Sequence, residues 1–393
     1  MTPAARLQAA IEILDEVIAS ARDDGPPADA IVTRYFKQRR YAGSKDRRAV
    51  RELVFRGIRR SADRPASGRA AILGLAQEEP ASLELFGQPR GPGEVSVGDE
   101  GTVPPAGTVP EWMVLELSPL IGPSEWPALL ERAPLDLRAN VWRIARDELL
   151  SQFPGAVATP LSPWGLRLPS DSRVDDHPAV QAGLVEVQDE GSQLIALACD
   201  ARGGERILDL CAGAGGKALA LAAAAPGATI LATDSNRQRL TKLQPRAERA
   251  GATIESRLLN PPRELVDLAD WHGAADVVLV DAPCSGSGTW RRNPEGRWRL
   301  TPERLGRLVA LQRRLLGIAA ELVKPGGRLV YAVCSLLSRE GAGQIDRFLE
   351  DHSSWIREEA PIAAGRSDGA GQLLTPGHDR TDGFFVARLR RPC

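Results

Sequence analysis

From Gly204 onward the chain alternates between short apolar runs and longer helical stretches, and this alternation limits its possible folds more than any other feature. The runs are Arg206 to Leu210, Thr229 to Thr233, Ile254 to Leu259, Asp276 to Asp281 and Arg328 to Cys334. Between them lie an Ala-rich stretch from Gly216, a charged stretch from Asn236 to Ala250 and a long helical pattern from Pro302 to Val323. Strands joined through helices of this length pair in parallel, and near-continuous apolar runs fit strands covered on both faces. The expected fold class is therefore α/β, a doubly wound, Rossmann-like sheet. The turn Pro325-Gly326-Gly327 introduces its last parallel strand, and Gly383 to Arg390 reads as a final edge strand.

The chain ahead of this region has a different period. From Pro3 to about Arg60 apolar residues recur at helical spacing (Leu7, Ile11, Leu14, Val17, Ile18, then Val50, Leu53, Val54, Ile58), which predicts a small helical bundle. Another helix is expected over Ala70 to Ala76, and the Gly/Pro-rich acidic stretch Gly87 to Gly107 reads as a loop or linker. Between Glu111 and about Val185 the pattern is mixed. A short helix (Trp112 to Leu120), a strand (Leu135 to Val141), a helix (Ala145 to Phe153) and a strand (Trp164 to Leu168) suggest a small α+β module.

Charge and cysteine content narrow the function. No run of about 18 apolar residues occurs, and Met1 to Ala10 lacks the apolar block of a signal peptide, so a cytoplasmic protein without a membrane partner is expected. Five cysteines (Cys199, Cys211, Cys284, Cys334, Cys393) are widely separated and never form a Cys-x-x-Cys pair. That spacing argues against a disulfide frame or a zinc site, so no metal is expected and any working cysteine is a free thiol. The net charge of -1 hides two basic islands. Arg34 to Arg60 carries eleven Lys or Arg against Asp46 and Glu52, and Arg291 to Arg314 carries eight Arg against Glu295 and Glu303. They are either solvated helix faces or local sites for a polyanion.

The strand Ile207-Leu208-Asp209-Leu210 runs directly into Cys211-Ala212-Gly213-Ala214-Gly215-Gly216-Lys217 and then a helix. Glycines there let the backbone turn sharply and approach a ligand at the helix start. The next strand ends in Asp234, where a carboxylate can accept hydrogen bonds from ribose hydroxyls. The glycines do not follow the Gly-x-Gly-x-x-Gly spacing of dinucleotide enzymes, and S-adenosylmethionine fits the pattern better. Lys217 is either near the cofactor carboxylate or a solvated first-turn lysine.

Two cysteines stand at strand carboxyl ends, the rim where such sheets do chemistry. One lies in Asp281-Ala282-Pro283-Cys284-Ser285-Gly286-Ser287-Gly288-Thr289, the other in Cys334-Ser335. Carbon 5 of cytosine is too weak a nucleophile to take a sulfonium methyl unaided, but a thiolate added at carbon 6 makes it an enamine carbon. Asp281 can hydrogen-bond the amino group and ring nitrogen that set cytosine apart from uracil. A stacked base is out of reach, so the target must be flipped or unpaired. Trp290, Trp298 and the arginines that follow are either RNA contacts or a packed lid.

Together these motifs resemble the RNA 5-methylcytosine methyltransferases of the bacterial ribosomal type. The similarity extends to Val187-Gln188-Asp189-Glu190-Gly191-Ser192-Gln193 and to Thr381-Asp382-Gly383-Phe384-Phe385. Ala133-Pro134-Leu135-Asp136-Leu137-Arg138-Ala139-Asn140 resembles the Leu-Arg-x-Asn segment of the family's RNA-recognition-motif-like module. Ser44-Lys45-Asp46-Arg47 and its helix resemble the NusB-like helical domain of the small-subunit ribosomal RNA branch. The resemblance implies three parts: a helical NusB-like domain plus linker over 1–110, the small α+β module over 111–183, and a class I methyltransferase domain over 184–393.

It also implies roles. Cys334 is the nucleophile, Cys284 serves product release, and S-adenosylmethionine contacts fall on Cys211, Ala212, Gly213, Ala214, Gly215, Gly216, Lys217, Asp234, Asn260 and Asp281. The implied partner is RNA, above all small-subunit ribosomal RNA, with the protein a monomer. Three positions depart from the family pattern: Ala214 replaces a common proline, Asn260 a usual aspartate, and Val333 a common threonine. Transfer RNA or large-subunit RNA remains an alternative substrate, and a non-catalytic RNA-binding assembly or antitermination factor a rival of another class.

Overall fold

Helical spacing in the first sixty residues produces the helices Pro3–Arg22, Ala28–Gln38 and Ser44–Arg60, and Gly68–Glu78 follows. In this computed structural model the described residues are 1–23, 25–96, 98 and 103–393. They divide into two units. The first comprises Met1–Leu117, Gly122–Glu131 and Thr289–Pro302, and the second Ser118–Ile121, Arg132–Gly288 and Glu303–Cys393.

In the first unit Thr2 and Ser67 cap their helices by accepting from the Ala5 and Ala70 amides, which satisfies donors the helix itself cannot. Leu7, Leu14, Val17, Ile31, Val54, Ile58 and Ile72 form its core. Gly68 is required by close approach, since a Cβ there would lie 2.2 Å from the Ile11 carbonyl oxygen. Of the expected linker, residues 97 and 99–102 lie outside the described residues. Its end is tied to the third helix through the Gly107 amide, which donates to the Arg60 carbonyl.

The segment Thr289–Pro302 folds into this helical unit, so the boundary expected at 183/184 does not gather all later residues into one domain. Trp298 is buried among the helix side chains and donates from Nε1 to the Ser61 carbonyl at 3.0 Å. The Arg297 guanidinium, also buried, donates to the carbonyls of Ile58, Thr108 and Pro294 at 2.6, 2.6 and 3.1 Å. Burying a tryptophan in this way stabilises by roughly 3–5 kcal/mol. Trp290, Trp298, Arg291 and Arg297 are thus packing residues and not exposed RNA contacts. The sequence could not decide this, because amphipathic Arg and Trp serve either role.

The second unit begins with a four-stranded antiparallel sheet in the order β2-β3-β1-β4, from β1 (Leu135–Ala139), β2 (Val157–Ala158), β3 (Gly165–Leu168) and β4 (Val185–Val187). Leu137 pairs with Val187, so the expected boundary at 183/184 cuts off the last strand of the module. Three residues are too short a run to signal a strand by periodicity. The helix expected from Ala145 shortens to Arg146–Leu150, and that over Trp112 to Leu120 shrinks to a single turn, Glu111–Met113.

The main sheet carries β5 (Arg206–Asp209), β6 (Thr229–Asp234), β7 (Glu255–Leu258), β8 (Ala275–Asp281), β9 (Val323–Val333), β10 (Ile356–Glu358), β11 (Arg366–Asp368), β12 (Gly371–Leu374) and β13 (Phe384–Arg390). Its order is β11-β12-β13-β9-β8-β5-β6-β7, with β10 also on β13. The strands β7-β6-β5-β8-β9 run parallel, as alternation requires, and Val277 to Val280 are fully buried between the covering layers. Strand β13 is not an edge. It pairs antiparallel with β9, β12 and β10. The expected helix from Asn236 to Ala250 breaks into Arg237–Leu240 and Leu243–Ala250, because Pro245 has no N–H for the ladder. Chain order reverses between β5 and β8, which opens a crevice at their carboxyl ends.

Candidate active site

Four strand ends meet at this crevice: β5 delivers residues 211–217, β6 delivers Asp234, β8 delivers Asp281 and Cys284, and β9 delivers Cys334. Cys284 Sγ and Cys334 Sγ stand 3.3 Å apart, within hydrogen-bond reach. That contact, followed by burial, raises the Cys284 thiol well above its usual range, and either sulfur can donate in it. Close packing of the two loops explains the glycines beside them. The Gly288 amide donates to the Cys334 carbonyl at 3.0 Å and Gly383 to the Gly288 carbonyl at 2.8 Å, leaving 2.0 Å between a Cβ on Gly288 and the Gly383 oxygen.

Lys217 is no solvated lysine. Its Nζ donates to Asp281 Oδ2 at 2.7 Å, and although burial alone lowers its pKa, the Asp281 charge and hydrogen bond raise it overall. One face of the cofactor loop is thereby tied to the carboxylate at the end of β8. Gly213 and Gly215 adopt φ of 58° and 83°, and added Cβ atoms would strike Arg239 and Leu243. Arg246, held at 2.7 Å by Glu186, donates to the Ala214 carbonyl, so a proline is not needed there to shape the turn.

Asp234 accepts from the Gly213 and Asn236 amides at 2.8 and 2.7 Å. An ionised carboxylate has about four lone-pair sites, so two remain for ribose hydroxyls. The Asn260 side chain is exposed and donates to Asp267 at 3.1 Å.

Sequence reasoning missed Asp209. It is fully buried at the end of β5, no side chain donates to its carboxylate, and the Cys211 backbone offsets its burial only in part. Burial first, then the Asp281 charge, pushes its pKa up to about 7. A buried carboxyl with no side-chain donor, beside two left-handed glycines and a ribose-competent aspartate, suits an adenosyl amino acid carrying its own amino group. The residues at 209–217, 234 and 281 thus fit S-adenosylmethionine, and no group of acidic, His and Cys residues among those described could hold a metal ion.

A pH effect follows. Between its unfolded value of 3.8 and about 7, Asp209 holds a proton in the folded chain that the unfolded chain has lost. Stability therefore falls as pH rises through that window, by roughly 4 kcal/mol in all. Asp209→Asn should change thermal melting little at about pH 3 and raise it progressively more towards about pH 8. Equal shifts at about pH 3 and about pH 8 would contradict a raised pKa for Asp209 in the folded chain.

The Gln188 to Gln193 motif is a joint between the two sheets of this unit. Gln188 accepts from Arg138 at 2.6 Å, Gln193 donates to the Leu137 carbonyl, and Glu190 accepts from the Leu161 and Ser162 amides. None of these side chains is free for a ligand.

Residues 196–390 match the profile of the 16S rRNA methyltransferase RsmB/F family. The ribosomal RNA small subunit methyltransferase B of Salmonella arizonae is 34% identical over 290 residues, a match that takes in 71% of this chain and 66% of that protein. The chain therefore spans just under two thirds of the length of that curated relative. The crystal structure of PH0851 superposes with a TM-score of 0.75 at 22% identity, covering 100% of this chain and 99% of that one. NSun6 from Pyrococcus horikoshii with SFG gives a TM-score of 0.61 at 20% identity, over 67% of this chain and 92% of that one. At such identities the structural likeness speaks for the fold.

Proposed function

The chain belongs to the 16S rRNA methyltransferase RsmB/F family, and from that premise we propose that it methylates carbon 5 of a cytosine in ribosomal RNA of the small subunit, with S-adenosylmethionine as donor. The observation that carries the reading is the pair of thiols 3.3 Å apart at the ends of neighbouring strands, beside the loop that fits the donor. Bound at residues 211–217, 234 and 281, S-adenosylmethionine supplies an electrophilic methyl group.

The chain's own residues do the rest. Cys334 as thiolate adds to carbon 6 of the ring and makes carbon 5 nucleophilic. Asp281 accepts from the cytosine amino group, and Lys217 fixes the orientation of its carboxylate. Cys284, a thiol in the resting site, serves the step that releases the product from Cys334. A flipped or unpaired base is needed for any of this.

The upstream elements support an RNA partner. The small module runs strand, helix, two strands, helix, strand, in the spatial order β4-β1-β3-β2, which supports the RNA-recognition-motif-like reading. The helix Ser44–Arg60, with Arg47, Arg48, Arg51 and Arg56, supports the NusB-like reading of the helical unit. No helix among the described residues is long and apolar enough to cross a membrane.

Full-length protein incubated with tritiated S-adenosylmethionine and unmodified ribosomal RNA should label small-subunit RNA at a cytosine that bisulfite sequencing then maps. Label in transfer RNA or large-subunit RNA alone would move the substrate. No label in any RNA would favour a non-catalytic assembly factor.

A further inference from the structure

The residues that follow the two cysteines are bridged by one side chain to which the proposed chemistry assigns no part. Glu340 lies six residues beyond Cys334 and is completely buried. Its Oε1 accepts from the Ser285 amide at 2.9 Å, next to Cys284, and its Oε2 accepts from Ser335 Oγ at 2.6 Å, next to Cys334. The Gln312 amide, from the helix Pro302–Leu322, donates both to Glu340 Oε1 and to the Pro283 carbonyl, each at 2.9 Å. Gln344 in turn donates to Gln312 Oε1. Cys284 is thus bracketed on both sides, at Pro283 and Ser285, by a frame that also holds Ser335. The Glu340 backbone closes the loop from below, because its carbonyl accepts from Tyr331 on β9 at 2.6 Å.

We propose that Glu340, supported by Gln312, is the positioning residue that fixes the two thiols of the active site at reacting separation. This rests on the reading that Cys334 and Cys284 act in one reaction. A buried carboxylate is costly to keep unless its hydrogen bonds are filled, and here the filled bonds lead to the neighbours of both sulfurs. Small errors at this point are expensive, since a misplacement of about 1 Å can cost about a hundredfold in rate. The Glu340 charge also contributes to the upward shift of Cys284, behind the Cys334 hydrogen bond and burial. Facing Cys284 are Tyr331 on β9, Cys334 just past its end and Glu340 beyond.

Two readouts test this in the full chain, on a Cys393→Ser background that removes the exposed thiol. Diamide oxidises neighbouring thiols, taking two electrons and two protons from each pair as it becomes a hydrazine, and mass spectrometry counts the peptide linked through 284 and 334. With Glu340→Ala, linkage should slow at least about tenfold and methylation turnover fall about a hundredfold, with S-adenosylmethionine affinity unchanged. Glu340→Gln should restore linkage, because its carboxamide can accept from Ser285 and donate to Ser335. Without the negative charge, its pH profile for release of the covalent product should move to lower pH.

Ser335→Ala, which deletes one bond to Glu340, should slow linkage in the same direction should Glu340→Ala fail to fold. Wild-type linkage rates in both alanine variants would overturn the proposal, as would a loss of turnover matched by loss of donor binding. Linkage that responds as expected in a protein that labels no RNA would leave the positioning role standing and remove the methyltransferase reading.

Discussion

Cys334→Ala should yield a protein that binds its donor normally, methylates nothing and forms no covalent bond to RNA, whereas Cys284→Ala should accumulate a protein–RNA adduct stable on a denaturing gel. The asymmetry follows from the roles proposed for the two sulfurs, which stand 3.3 Å apart. The contact with Cys334, then burial, raises the Cys284 thiol above its usual range. Only a thiolate adds to the ring, so loss of Cys334 removes the first bond-making step and everything after it. Loss of Cys284 leaves addition possible and removes the group serving release, so the intermediate persists. An adduct from Cys334→Ala, with none from Cys284→Ala, would exchange the two roles. Equal residual turnover in both would mean that neither sulfur bonds to the base.

Which parts of this site could be read in advance depended on how local their signals were. The parallel core was legible because β5, β6, β8 and β9 are buried on both faces, and Val277 to Val280 read as strand without regard to neighbours. The positions of Cys284, Cys334 and Asp281 followed from that alternation together with the rule that chemistry sits at strand carboxyl ends. Strands of two to four residues, such as β2, β4 and β11, exist because a neighbour pairs with them, and no periodicity announces them. Strand β13 read as an edge for the same reason, since its outer partners are short.

Glu340 and Asp209 were illegible on other grounds. A glutamate six residues past a cysteine looks like any surface acid until a buried glutamine from a distant helix and a serine amide are found on its oxygens. The arginines and tryptophans from 290 to 299 were ambiguous in principle, and only the carbonyls that Arg297 satisfies decided the matter. Asn260 is the reverse case, where the departure from the family pattern was visible in sequence and its consequence, a side chain turned to Asp267, was not.

Asp281→Asn should reduce kcat/KM by about a hundredfold to a thousandfold, and it should also lower the melting temperature. Two effects are combined in that result. Lys217 is nearly buried and its charge is met by Asp281 at 2.7 Å, so the asparagine leaves an ammonium with no counter-charge at that distance. Breaking a buried pair from one side costs about 3–5 kcal/mol, discounted here because the Asp281 side chain is 29% exposed. The chemical loss is separate, because the carboxylate is the group proposed to read the cytosine amino edge. Adding Lys217→Met to Asp281→Asn removes the stranded charge, so the double variant should regain most of the lost stability through coupling between neighbours. Its activity should not rise above that of the single variant, because Lys217 belongs to the proposed donor loop. Recovery of activity together with stability would show that Asp281 serves only to neutralise Lys217, and would take the base-recognition role away from it.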